Sequence, residues 1–190
     1  MDVRAVAFDL DGTITKTDVR FAPFRERMGC GNGDILEYIN NADDGSRKRF
    51  YEILGEYEKE LQENCTLNDG FAELIDFLKE KEIKTGIVTR SSREHADIVR
   101  KKLGIPIEHV IAREDAEPKP SGKPIIMLSE MLDVPAEKMI FVGDFLWDML
   151  AGKNAGVKTV LLVNEHSKRF EHLADYSIKR LDEIIGIIGR

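Results

Sequence analysis

Cysteine is scarce in this chain: Cys30 and Cys65 are the only two in 190 residues. Two cysteines build no disulfide framework, and these form no CxxC pair, so the sequence reads as a protein of a reducing, cytoplasmic compartment. Long apolar runs are missing too. None approaches the roughly 20 residues that a membrane helix needs, and the first ten residues, MDVRAVAFDL, are too short and too charged for a signal peptide. Positive charge is in the minority, with 28 Lys and Arg against 35 Asp and Glu and a net charge of -7. That balance excludes a dominant nucleic-acid surface. The four histidines, His95, His109, His166 and His172, show no zinc spacing and are expected on the surface. GCGNG at Gly29 to Gly33 follows no strand and lacks the GxGxxG spacing, so it reads as a loop and not as a nucleotide site. There is no low-complexity tract and no internal repeat.

What is present is a globular chain, 42% hydrophobic and 33% charged, long enough for one domain or one domain with an insertion. Apolar runs bounded by polar turns predict strands at 3–9, 83–89, 109–112, 139–144 and 158–163. Helical periodicity alternates with them. Phe71, Leu74, Ile75 and Leu78 share one face of a helix, and Ala96, Val99 and Leu103 share one face of the next, with Gly104 as its stop. Two more helices follow in PIIMLSEMLDV and DMLAGKNAG. Strand and helix in alternation predict an α/β fold, a doubly wound parallel sheet with right-handed crossovers. One stretch breaks the alternation. No strand is expected between Thr13 and Leu67, only helical segments, the longest with Phe50, Leu54, Tyr57 and Leu61 in register behind Ser46 as N-cap. The expected organisation is therefore a core of 1–14 and 69–190, interrupted by a small α-helical insertion at 15–68.

An open parallel sheet binds its ligands outside the carboxyl ends of its strands. Those ends carry Asp9 and Asp11, then Thr89 and Arg90, then Lys119 in EDAEPKPSGKP, then Asp144 and Asp148. Each has a plainer use: Asp-x-Asp-Gly makes turns, Thr favours strands, and an acid such as Asp148 suits the first turn of a helix. Lys123 competes with Lys119, whose Lys-Pro pair favours it. Together the residues have a chemical logic. Clustered carboxylates call for a hard cation, for which Mg²⁺ fits. A hydroxyl and an ammonium facing them suit the oxygens of a phosphoryl group. One carboxylate can attack phosphorus, and a second two residues away can move the proton.

Asp9-Leu10-Asp11-Gly12-Thr13, the strand-end Thr89, Lys119-Pro120 and Gly143-Asp144-x-x-x-Asp148 resemble, in order, the four motifs of the haloacid dehalogenase superfamily. The resemblance spans Val3 to about Val163. The insertion after the first motif is similar to the cap of its phosphoglycolate phosphatase-like members. The resemblance implies a Rossmann-like core and a Mg²⁺-dependent phosphatase that hydrolyses a small phosphorylated metabolite through an aspartyl-phosphate. It implies Asp9 as nucleophile and metal ligand, and Asp11 as general acid/base whose backbone carbonyl also binds metal. Thr89 and Lys119 would hold the phosphoryl group, with Arg90 as a further phosphate contact. Asp144 would ligate the metal, and Asp148 would support it directly or through water. The chain departs from the pattern at Lys16, where an acid is usual, and at Arg90, where Asn is usual. Both changes add positive charge, as a second anionic group on the substrate would require. The insertion's Arg20, Arg25 and Arg27 read as a solvated face. The alternatives are a phosphomutase or phosphotransferase of the same superfamily, or a phospho-Asp signalling domain of the receiver type, which places its aspartate on a later strand. Whether the chain is a monomer or a homodimer is not encoded in any of these signals.

Overall fold

The computed structural model describes residues 2–189. The chain divides into two compact units, residues 1–16 with 66–190, and residues 17–65. No helix among the described residues is long and apolar enough to cross a membrane.

The larger unit is built on a six-stranded sheet. Its strands are β1 (Ala5–Phe8), β4 (Lys84–Val88), β5 (His109–Ile111), β6 (Met139–Gly143), β7 (Lys158–Leu162) and β8 (Tyr176–Ile178), in the order β5-β4-β1-β6-β7-β8. Every pair is parallel, so all carboxyl ends point the same way. The α/β expectation holds. β1 explains the continuous apolar pattern: all four of its residues are buried, because side chains alternate between two covered faces. On one face Ala5 and Ala7 join a cluster with Ile125, Leu128 and Leu132 of α6 (Lys123–Leu132) and Ala151 and Ala155 of α7 (Leu146–Ala155). On the other, the Phe8 ring meets the edge of Phe71 at the start of α4 (Phe71–Glu80), centroids 6.4 Å apart. Helix α5 (Arg93–Leu103) packs beside β5 and ends at Gly104, whose φ of 64° is the left-handed C-cap that the sequence predicts.

Two features of this unit differ from expectation. β8 is a sixth strand, paired through Val160 with Tyr176 and Leu162 with Ile178. It is only three residues long with one side chain buried, too short to carry an alternating pattern. In addition β2 (Thr15–Lys16) and β3 (Thr66–Leu67) form a two-residue antiparallel ribbon where no strand was expected. A pairing of partners about fifty residues apart leaves no local signal.

The smaller unit is helical: α1 (Ala22–Met28), α2 (Ile35–Asn40) and α3 (Asp44–Asn64). Its core is Phe24, Met28, Leu36, Ile39, Ile53 and Leu54, with Phe50 and Tyr57 packed against it. The N-cap of α3 is Asp43 and not Ser46. The Asp43 carboxylate accepts the backbone N–H of Gly45 and of Ser46, each at 3.1 Å, so Ser46 is a donor to the cap and not the cap itself. The glycine loop after α1 is held by Arg25, whose guanidinium donates to the carbonyls of Gly31 and Gly33. Arg27 pairs with Glu56 at 2.6 Å. Both arginines therefore have structural partners within their own unit.

Candidate active site

β1 delivers Asp9 to the end of the sheet. The ladder with β6 continues one residue past the strand, through Asp9 N–H to the Val142 carbonyl at 2.8 Å. The chain then turns tightly, with the amide of Thr15 returning to the Leu10 carbonyl at 2.9 Å. Gly12 makes this turn possible. Its φ is +94°, and a Cβ there would come within 2.6 Å of the Asp144 carboxylate. A side chain at this position would therefore be strained and would crowd the Asp144 carboxylate.

Lys119 is the centre of the site. It comes from the loop after β5 and is 2% exposed. An ammonium has three protons, and each is placed. They go to Asp9 Oδ1 at 2.6 Å, Asp148 Oδ1 at 2.7 Å and the Val88 carbonyl at 2.8 Å. Among the described residues, none hydrogen-bonds the other Asp9 oxygen, Oδ2. Asp148 lies in the first turn of α7, where its Oδ2 accepts the N–H of Phe145 at 3.0 Å. It therefore caps the helix and anchors the lysine together. Gly143 has to be glycine for this, because a Cβ there would collide with the Asp148 side chain. Asp144 receives Asn164 Nδ2 at 3.1 Å and Thr13 Oγ1 at 3.5 Å.

Carboxylate oxygens of Asp9, Asp144 and Asp148 can all lie within 4.8 Å of one another. The cluster holds three carboxylates but one ammonium, which pairs with Asp9 and Asp148, leaving an excess of negative charge. Its effect is visible in the acid–base balance. Burial pushes the Asp9 carboxyl up to about 7, with Lys119 opposing and Asp148 adding to the rise. Burial likewise raises Asp144 well above the usual carboxylate range, reinforced by Asp148 and Asp9. Burial would lower Lys119, but the Asp148 and Asp9 carboxylates outweigh it and hold the ammonium above the usual lysine range. An all-oxygen donor set short of positive charge fits a hard divalent cation.

Thr89 follows β4 and is buried. Its Oγ1 accepts the Ser91 amide at 3.0 Å, which uses a lone pair and leaves the hydroxyl proton available to a ligand. Asp11 sits apart from the lysine. Its Oδ2 accepts the Ser91 hydroxyl at 2.7 Å, and its Oδ1 lies 2.9 Å from His95 Nε2. His95 thereby corrects the expectation of a surface residue: its exposure is 0%. The other three histidines are exposed, as expected. The signal for His95 was its register, since it lies on the same side of α5 as Ala96 and Val99.

Two predicted positive charges have other partners. Lys16 is paired with Asp69 at 2.6 Å, so the charge added there is offset on the spot. Arg90 donates to the Lys119 carbonyl and lies over the Trp147 ring, 5.5 Å from its centroid. Sequence reasoning missed Ser91 and Asn164, whose polar side chains carry no motif of their own, and assigned no role to Thr13, the last residue of the first motif.

A family model described as haloacid dehalogenase-like hydrolase matches residues 20–162. A haloacid dehalogenase-like hydrolase domain-containing protein of Arabidopsis thaliana is 32% identical over 173 residues, covering 84% of this chain and 71% of that protein. Pyrophosphatase PpaX of Halalkalibacterium halodurans is 28% identical over 213 residues, covering 100% of this chain and 98% of that one. Among solved structures, a hydrolase from Pseudomonas syringae shares the fold with a TM-score of 0.82 at 20% identity, covering 98% of each chain.

Proposed function

Because this chain belongs to the haloacid dehalogenase-like hydrolases, we propose that it is a cytoplasmic, Mg²⁺-dependent phosphatase that hydrolyses a small phosphorylated metabolite of the phosphoglycolate type through a covalent intermediate on Asp9. The observation that carries this reading is the lysine-centred carboxylate cluster. Lys119 fixes one oxygen of Asp9, and among the described residues none hydrogen-bonds the other.

In the first step Asp9 Oδ2 attacks phosphorus as the bond to the leaving oxygen breaks. Asp11 gives that oxygen its proton. In the second step Asp11, now a carboxylate, takes a proton from water as the water oxygen attacks phosphorus, and Asp9 is released. Thr89 donates its hydroxyl proton to a phosphoryl oxygen, while Lys119 compensates charge on the nucleophile side. Asp9, Asp144 and the Asp11 backbone carbonyl would hold Mg²⁺. Asp148, with its oxygens engaged by Lys119 and the Phe145 N–H, would support the metal directly or through water. When bound, the metal supplies further charge compensation for the transferring phosphoryl group.

The test is hydrolysis of para-nitrophenyl phosphate with and without EDTA, by wild type and by Asp9→Asn. Metal-dependent turnover that vanishes in the folded variant is expected. Undiminished turnover in the variant sinks the mechanism. A panel of phosphorylated metabolites, beginning with phosphoglycolate, then defines the substrate.

A further inference from the structure

We propose that His95 and Ser91 are positioning residues that aim the carboxyl group of Asp11 at the leaving oxygen. The inference rests on the phosphatase reading above, in which Asp11 moves the proton.

The geometry is a clamp on both oxygens. Ser91 Oγ donates to Oδ2 at 2.7 Å, and His95 Nε2 lies 2.9 Å from Oδ1. A carboxylate only accepts, so in that form Asp11 takes a hydrogen from each partner. Two contacts on opposite oxygens fix rotation about the bond that carries the carboxyl group, which one contact cannot do. The clamp itself is rigid. His95 is 0% exposed and lies in the first turn of α5, where its backbone N–H is capped by Ser92 Oγ at 3.1 Å. Ser91 is held by its own amide on Thr89 Oγ1. Asp11, by contrast, keeps an 18% exposed side chain, so it remains open to a ligand while its direction is set. One seven-residue stretch, Thr89 to His95, therefore supplies both the proposed phosphate hydroxyl and the orientation of the proton donor. A proton donor gains its rate from being held in reach and in line, so loss of aim costs turnover even when the donor is present.

Leaving-group dependence distinguishes aim from a merely structural role. kcat/KM covers the steps up to departure of the leaving group. Para-nitrophenolate leaves without a proton, whereas the leaving group of phenyl phosphate needs one more. His95→Phe is expected to lower kcat/KM for phenyl phosphate about tenfold or more, and for para-nitrophenyl phosphate by no more than about threefold. His95→Gln, whose amide N–H reaches about as far as Nε2, recovers most of the loss. Ser91→Ala, in a less buried position, shows the same selectivity more weakly. Equal losses on the two esters, or no loss, in His95→Phe and Ser91→Ala overturn the proposal. If His95→Phe does not fold, Ser91→Ala decides by the same criterion, with His95→Gln expected near wild type. Asp11→Asn separates the two levels. A selective loss in Asp11→Asn that neither clamp variant shares overturns the clamp alone. A wild type that hydrolyses neither ester overturns the phosphatase reading and the clamp with it.

Discussion

Asp9 and Asp11 leave the same strand two residues apart, and the protein holds them by different means. Asp9 is buried against an ammonium ion and shares it with Asp148. Asp11 is partly open and held by a serine hydroxyl and an imidazole. A carboxylate beside a fixed cation is held in place by charge, in surroundings that otherwise disfavour its ionised form. A carboxylate between hydrogen-bonding side chains at the edge of solvent is held in direction, with little charge compensation. The first environment suits a nucleophile and metal ligand, and the second suits a group that must gain and lose a proton. In the proposed mechanism, environment and not residue type divides the work between two identical side chains.

The largest effects should come from the Asp9 side. Asp9→Asn is expected to lower kcat on para-nitrophenyl phosphate by about 10³-fold or more, because removing a nucleophile removes the covalent route. Lys119→Met should abolish activity and also cost stability. It leaves Asp9 and Asp148 facing each other without the cation, and breaking a buried pair in this way typically costs about 3–5 kcal/mol. Chemical denaturation at neutral pH measures this, and a Met variant as stable as wild type would break the contrast at its stronger end. Asp11→Asn should behave oppositely: turnover falls by about 10²-fold, while stability moves by about 1 kcal/mol or less, since the side chain is partly exposed and an amide can still bond to Ser91 and His95.

The same contrast explains what could be read in the sequence. In a parallel sheet every strand end faces one way, so Asp9, Thr89 and Asp144 had to converge once the strands were recognised. Lys119 and Asp148, the two other members of the cluster, follow their strands within one loop or one helical turn. What holds Asp11 was not legible. His95 is a single histidine in a helical stretch rich in charge, and only its register against Ala96 and Val99 marks it as inward-facing. Asp69, the partner of Lys16, lies 53 residues away in the chain, so the sequence shows the lysine's charge and not its neutralisation. The β2–β3 ribbon and β8 are two or three residues long, below the length at which alternation can be counted. Asp43 and Ser46 are both good caps three residues apart, and local pattern alone does not choose between them.

The smallest expected effect is on thermal stability, and it probes the excess charge around Asp9. Burial raises that carboxyl from 3.8 to about 7 in the folded protein. A carboxyl with a raised folded-state value binds a proton more readily when folded than when unfolded. Its contribution to stability is therefore fully present below pH of about 4 and is lost as pH rises towards about 7. The raised Asp144 acts in the same direction. A divalent cation takes the proton's place, so it should restore most where the proton has gone. Melting curves in EDTA and in Mg²⁺ should thus differ by several degrees at pH 8 and by less at pH 5, where about 1 kcal/mol corresponds to roughly 2–4 °C for a chain of this size. Asp9→Asn should flatten the pH dependence in EDTA, since the amide neither titrates nor repels Asp144. An equal Mg²⁺ shift at both pH values would mean that the cation binds away from the buried carboxylates, and the division of labour between Asp9 and Asp11 would lose its electrostatic basis.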